Sequence, residues 1–501
     1  MKNISFISCL FLLLIISACT NGDNIENGNK PPEGDQQKLL TVAEIDAQIK
    51  ESFELNGTFD WKDTSNQLLW SAAIHGNNIL TVGYGAKDES FSFEKSNRLT
   101  SIKQEIINTI KTTASVTAKS TEDILVYEDE TLNYIDVKVS DLSTVAALRK
   151  NSLIRYLEPN GYVYGTTEIQ QKSSSGCSQS GETISSSDYG TLSTGARVPW
   201  NFYDHNINQA WAYSKGRGVG VGLIDTGVSS NQPYLGVKFD DYYGGRYIQK
   251  YGTYVDSFWP WSKKTDGPND KCGHGTSASA TIAAPNNNAS QFIGVAYECN
   301  LISYRGTSDV VLNGYHERKG VSNALKALGN RSDVKIISMS IGYMWSIGNV
   351  KDAIKYAHAK GKLIFAAGGT STSFTNWYGV IFPATMSETI AVTGVEEQST
   401  YNECDTCHEG SKIDFTIIME RGNNHHVPVL GFNNGQSQYF GGSSEATATT
   451  AGIAALIWSR YPSWTRAQVL QRLKESADFY PNKNNSFGYG NIDALKAVRG
   501  Y

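Results

Sequence analysis

The chain has 501 residues, enough for two or three domains and a large buried core. Its 44 Lys and Arg stand against 49 Asp and Glu, a formal charge of -5, so the composition supplies no concentrated basic face and no nucleic-acid partner is expected. With 40% hydrophobic and 19% charged residues the composition is that of an ordinary soluble globular protein.

The first predicted element is a leader. Lys2 precedes the apolar run Phe6 to Ile16, too short to anchor in a bilayer, which reads as a secretory signal peptide over residues 1–18. It ends in Ile15-Ile16-Ser17-Ala18-Cys19, which resembles the lipobox of bacterial lipoproteins. That resemblance implies lipidation of Cys19 and attachment to a membrane of the cell envelope. Residues 19–38 are polar and rich in turn formers, the composition of a tether. Cys9 leaves with the leader, so Cys177, Cys272, Cys299, Cys404 and Cys407 remain beside Cys19. Export permits disulfides. Cys404 and Cys407 read as a local surface bridge and Cys272 with Cys299 as a second candidate, which leaves Cys177 over.

Residues 39–165 read as a small domain. An amphipathic helix is predicted over 40–53, a strand over 78–84, and a helix over 98–112 with Leu99, Ile102, Ile106, Ile107 and Ile110 on one face. Strands over 124–127 and 134–139, a short helix over 141–148 and a strand over 154–159 follow. From about 77 to 160 the order is β-α-β-β-α-β, the ferredoxin-like plan. Residues 166–197, with serine runs at 173–175 and 185–187, read as a flexible, protease-accessible linker.

From 198 to 501 apolar strands at 219–224, 301–304, 334–339 and 363–367 alternate with helical patterns at 320–328 and 349–359. Such alternation calls for an α/β domain, a parallel sheet with helices on its faces, in which reactive groups collect at the carboxyl ends of strands.

Three stretches carry chemistry. Asp225 leaves a wholly apolar strand, where a carboxylate needs a partner to stay charged. His274 stands between Gly273 and Gly275 at the start of a small-residue helix pattern. Ser444 lies in Phe440-Gly441-Gly442-Ser443-Ser444-Glu445-Ala446-Thr447, ahead of a second such helix. Singly these read as a turn aspartate, a capping histidine and an N-cap serine. Together they suit nucleophilic catalysis, because a hydroxyl is a poor nucleophile until an imidazole takes its proton, and the imidazole needs a carboxylate to fix its tautomer.

Asp, His and Ser in that order match the subtilisin arrangement, and residues 198–501 resemble the subtilisin-like serine proteases throughout. The matching motifs are Asp225-Thr226-Gly227, Gly273-His274-Gly275-Thr276 and Gly442-Ser443-Ser444-Glu445-Ala446, with Ile293-Gly294-Val295-Ala296, Ser338-Met339-Ser340-Ile341-Gly342, Phe382-Pro383-Ala384 and Gly490-Asn491-Ile492-Asp493-Ala494 between and after them. The resemblance implies a monomeric endopeptidase acting on proteins or peptides, with Ser444 as nucleophile, His274 as base and Asp225 as orienting carboxylate. It implies that the Ser444 amide is one oxyanion donor and that Ser340, Ile341 and Gly342 form an edge strand for the substrate backbone. Residues 39–165 look like the family's inhibitory prosegment, a folding chaperone removed by a cut within 166–197.

Departures from the family pattern matter too. Ser443, Glu445 and the Ala448-Thr449 pair replace the usual Thr, Met and Pro-His. Gly369 stands where the family has the asparagine that gives the second oxyanion donor, so Thr370, Ser371, Thr372, Ser373, Thr375 and Asn376 become candidate substitutes. No cofactor is expected. Structural calcium is left open, because Tyr234 replaces the usual acid before Leu235 and the Asn286-Asn287-Asn288 turn fits only loosely. Gly369 also leaves room for a second reading, a non-catalytic lipoprotein that keeps the fold as a binding module.

Overall fold

The structure, a computed structural model, describes residues 38–94, 96–114, 120–165, 177–241, 244–369, 379–398, 401–423 and 425–500. The leader and Cys19, the tether up to residue 37 and the candidate donors at 370–376 lie outside the described residues.

Helix α1 (Val42–Asn56) starts where a capping box sets it: Thr41 accepts the Glu44 N–H, and Glu44 accepts the Thr41 N–H. Helix α2 (Asn66–His75), capped by Ser65, has no counterpart in the sequence reading. Leu68 to Ala73 are all buried, so it shows no apolar stripe against a polar face. The chain then gives β1 (Ile79–Tyr84), α3 (Asn97–Thr113), β2 (Leu125–Glu128), β3 (Tyr134–Lys138), α4 (Leu142–Leu148) and β4 (Ile154–Glu158). Their strands form an antiparallel sheet in the order β2-β3-β1-β4, the ferredoxin-like plan.

The described half of the linker is not the loose segment its composition suggests. Cys177 is bonded to Cys272, the Glu182 N–H donates to the Ser437 carbonyl at 2.7 Å, and β5 (Tyr189–Thr191) pairs with β6 (Arg197–Pro199). Asp188, fully buried, is held by Arg421, His425 and the Tyr439 hydroxyl. The predicted Cys272–Cys299 bridge is therefore replaced by Cys177–Cys272, and Cys299 is a free thiol buried beneath Arg246, pushed up to about 12 by burial. The Cys404–Cys407 bridge forms as expected, though both residues are buried and not at the surface.

Beyond β6 come β7 (Gly220–Asp225), β8 (Ile248–Gly252), α5 (His274–Ala283), β9 (Asn300–Arg305), α6 (Tyr315–Asn330), β10 (Val334–Met339), α7 (Gly348–Ala359), β11 (Leu363–Ala367), β12 (Ile390–Glu396) and β13 (Phe415–Glu420). The hairpin of β14 (Val427–Leu430) and β15 (Ser437–Phe440) leads into α8 (Gly442–Arg460). Seven strands pair in parallel in the order β13-β12-β11-β10-β7-β9-β8. Alternation along β7 decides the two faces. Val221 and Leu223 join the core with α5 and α8, while Ile224 joins the core shared with α6, α7 and the N-terminal sheet. Among the described residues no helix is long and apolar enough to cross a membrane.

The N-terminal sheet is docked on α6 and α7 by an apolar layer and by buried charge. Arg155 makes a two-pronged ion pair with Asp352 at 2.6 and 2.8 Å, Tyr156 donates to the same carboxylate, and the Glu158 carboxylate accepts the Gly348 N–H at the start of α7. Lys326 pairs with Asp129, and the Tyr315 hydroxyl donates to Asp136. Past β4, Asn160 meets Arg318, and Tyr164 packs on Trp345, whose ring stacks edge-on with Tyr343.

Candidate active site

Asp225 closes β7, with β10 and β9 on either side, and is fully buried. Its Oδ1 lies 2.8 Å from His274 Nδ1 and also accepts the Thr226 N–H at 2.7 Å, whereas Oδ2 has no hydrogen-bond partner. A carboxylate only accepts, so Nδ1 carries the proton and Nε2 is left as the base. Burial opposes a charge on the His274 ring, but the Asp225 carboxylate, through charge and hydrogen bond, together with Asp270 and Asp309, outweighs it, and the imidazole is raised above its ordinary value.

The two glycines around His274 have separate reasons. Gly273 has a φ of 103°, and a Cβ there would come within 1.9 Å of the Ser178 carbonyl oxygen. A Cβ on Gly275 would meet the Gly227 carbonyl at 2.3 Å. The loop ahead of α5 is built on Asp270, which accepts from Thr226 Oγ1 and the Cys272 and Gly273 amides through Oδ1, and from the Thr276 amide and hydroxyl through Oδ2. Sequence reasoning passed over Asp270; its signal was a carboxylate ahead of a turn of free amides.

Ser444 is the third residue of α8 and almost fully buried. Its N–H belongs to the first helical turn, where amides have no intrahelical acceptor. Phe440, just before the helix, packs its ring against His274 at 5.2 Å and 78°, which ties the serine turn to the imidazole. Among the described residues no hydrogen bond joins Ser444 to His274, and such contacts commonly tighten only around substrate. The Ser340 hydroxyl donates to the Ser444 carbonyl at 3.2 Å, and the Gly369 N–H donates to Ser443 Oγ at 3.3 Å. The structure thus gathers Ser340, Gly369, Ser443 and Ser444 at the strand ends beside Asp225 and His274. Gly342 is different: its N–H donates to Val310 and its carbonyl accepts from Leu312, so it is not a free edge.

Residues 216–490 match the family model of the Subtilase family, Peptidase_S8. The chain belongs to the subtilase family. It is 32% identical over 276 residues to subtilisin E of Bacillus subtilis (strain 168), covering 55% of this chain and 64% of that protein. It is 30% identical over 310 residues to alkaline elastase YaB of Bacillus sp. (strain YaB), covering 62% of this chain and 72% of that protein. The chain thus spans less than two thirds of subtilisin E. In fold it is similar to fervidolysin from Fervidobacterium pennivorans, described as a keratinolytic enzyme related to subtilisin, with a TM-score of 0.59, 16% identity, and coverage of 85% of this chain and 61% of that one.

Against the subtilase pattern, Glu445 is the change with a structural cost. It is fully buried, accepts from Thr449 Oγ1 at 2.7 Å and Asn201 Nδ2 at 3.3 Å through Oε1, and leaves Oε2 without a partner. Burial raises its carboxyl from 4.5 to about 7. The folded state therefore holds this proton more tightly than the unfolded state, and the resulting stability is complete below pH 4.5 and lost as pH rises through about 7. The loss amounts to about 3 kcal/mol. In a Ser444→Ala background, Glu445→Gln is expected to remove it: urea unfolding at pH 5 and pH 8.5 should show the variant gaining about 3 kcal/mol relative to the parent between the two. A difference that does not change with pH would show that Glu445 is not protonated in the fold.

Metal ligands are few. Among the described residues Glu396, Asp405 and Glu420 bring oxygens within 4.8 Å of one another, but Glu420 already accepts the Asp405 N–H. In the turn that resembles a calcium loop, Asn287 Oδ1 accepts the Ala289 and Gln291 amides and Asn286 Oδ1 accepts from Thr194.

Proposed function

We propose that this subtilase is an exported serine endopeptidase made as a lipid-anchored zymogen. The observation that carries the catalytic reading is the buried Asp225 Oδ1 to His274 Nδ1 contact of 2.8 Å at the end of β7. It fixes the tautomer that a hydroxyl nucleophile needs. Ser444 Oγ attacks the peptide carbonyl carbon while His274 Nε2 takes its proton, and the carbonyl electron pair moves onto oxygen, which the Ser444 N–H stabilises. Collapse of this adduct expels the amine, which leaves with the proton from His274. Water then attacks the acyl-enzyme by the same route, with His274 as base and then acid.

Fluorophosphonate labelling of the folded, processed protein tests this. The parent is expected to label and Ser444→Ala to stay dark. A folded parent that does not label would favour the second reading, a binding module, for which Gly369 and the closed Gly342 edge speak.

The N-terminal α+β region acts in this reading as the prosegment. Its contacts with α6 and α7 support that reading, and past β4 Tyr164 packs on Trp345, whose ring meets Tyr343. Because residues 177–197 are bonded into the catalytic body, a maturation cut that frees the prosegment falls upstream of Cys177. The lipid on Cys19 would then stay with the prosegment, and the catalytic part would be released.

Glu158 gives that release a pH dependence. Burial against α7 raises its carboxyl from 4.5 to about 7, so docking is strongest below 4.5 and weakens as pH rises through about 7. The cleaved prosegment is expected to bind Ser444→Ala protease about 10–100-fold more weakly at pH 8.5 than at pH 5. Glu158→Gln should flatten that slope. A slope unchanged by the substitution would assign the pH dependence to another group.

A further inference from the structure

Gly369 removes a side chain from the place where the resemblance puts the second oxyanion donor, and something else fills that place. A Cβ built on Gly369 would lie 2.3 Å from Nδ1 of His408, 3.0 Å from its Cε1 and 3.2 Å from its Cγ. The imidazole of His408 therefore occupies the volume that an asparagine side chain would need. Gly369 in turn donates its N–H to Ser443, the residue before the nucleophile, so the ring lies at the wall of the serine turn. Gly369 has a φ of 130°, so two independent features keep this position a glycine.

His408 is 2% exposed, yet among the described residues neither ring nitrogen has a hydrogen-bond partner of full geometry. Burial pushes the imidazole down to about 4, and the Gly379 backbone, whose contact falls short of full hydrogen-bond geometry, acts against that shift. At neutral pH the ring is uncharged, with one N–H to give. Its placement is rigid: its carbonyl accepts the Thr393 hydroxyl at 2.7 Å, and the Cys404–Cys407 disulfide closes the turn just before it. Buried polar groups without partners are rare, and one beside a nucleophile asks for a ligand that completes it.

We propose that His408 is the second oxyanion donor of this protease, its Nδ1–H hydrogen-bonding the substrate carbonyl oxygen as that oxygen becomes negative on attack by Ser444. The proposal rests on the endopeptidase reading. The ring takes over the role, and the space, of the side chain missing at Gly369. A neutral donor held by packing needs no reorganisation as charge develops, which is the condition for strong stabilisation of the transition state.

The test compares His408→Leu, which fills the space without a donor, and His408→Gln, which keeps one. Loss of an oxyanion donor lowers kcat by about 10²–10³ with little change in KM. His408→Leu is expected to show that loss, and His408→Gln to retain at least about tenfold more turnover than Leu. A Leu variant within about threefold of the parent, equal losses in both variants, or a change confined to KM would overturn the proposal. A second measurement uses the unaltered protein. On adding a peptidyl trifluoromethyl ketone, which forms a hemiketal oxyanion with Ser444, the Nδ1 proton of His408 should move downfield in the NMR spectrum. An unmoved proton overturns the proposal even where the Leu variant does not fold. A parent that neither labels with fluorophosphonate nor cleaves peptides overturns the endopeptidase reading itself. An active parent with an indifferent His408 overturns only this inference.

Discussion

Ser444→Ala is expected to lower kcat by roughly 10⁶ and Asp225→Ala by roughly 3 × 10⁴, with the double variant no slower than Ser444→Ala alone. The ranking follows from the contacts. Removing the serine hydroxyl removes the only atom that bonds to the carbonyl carbon. Removing the carboxylate leaves the nucleophile and Nε2 in place but frees the ring to adopt the wrong tautomer. It also leaves the His274 Nδ1–H and the Thr226 N–H without the acceptor they share at 2.8 and 2.7 Å. A second readout separates this from general damage. Asp225 is what lifts His274 against its burial, so without it the imidazole titrates lower and the acid limb of kcat/KM moves to lower pH. Steady-state kinetics from pH 5 to pH 9 on peptide substrate checks both. An acid limb that stays in place in Asp225→Ala would mean that His274 does not govern it.

What the sequence made legible were features written along the chain. β7 reads as apolar up to Asp225, and the glycines flanking His274 announce a backbone that must approach another, as it does at Ser178 and Gly227. The β-α-β-β-α-β order was readable because α3 carries a clear apolar stripe, whereas α2, buried around its circumference, carries no period to read. What stayed hidden are relations across space. The partner of Cys272 is Cys177, which lies in a serine-rich stretch whose composition says linker; only the passage of residue 178 over the His274 loop brings the two cysteines together, with Cα atoms 4.5 Å apart. Gly369 was visible as a missing donor. The ring that fills its space comes from a loop between β12 and β13 whose local pattern, a CxxC followed by histidine, says nothing of an oxyanion. Likewise Gly342 reads as a substrate edge by resemblance, and only the fold shows that Val310 and Leu312 already pair with it.

Opening the Cys177–Cys272 bridge is expected to cost the largest share of stability of any single change away from the triad. The bridge spans 95 residues, and closing a loop of that length restricts the unfolded chain by about 4–5 kcal/mol. The Cys404–Cys407 bridge spans 3 residues, and its loop is too short for a comparable effect. In a Ser444→Ala background, Cys177→Ser with Cys272→Ser should lower Tm by roughly 5 °C, and dithiothreitol should lower the parent by a similar amount while leaving the variant unmoved. The bridge also has a local role that the stability figure does not contain. Cys272 directly precedes Gly273 and His274, and its amide is one of those collected by Asp270. Residue 178, held by the bridge, roofs the loop at Gly273. In an otherwise active chain, the serine pair should therefore lower kcat even well below its own Tm, because the imidazole loses one wall of its socket while Asp225 still holds the other. A variant that melts early but turns over like the parent at low temperature would assign the bridge to stability alone. The proposed export to an oxidising compartment would make such a device available, and the bond makes the segment that follows the proposed cut a permanent part of the catalytic body.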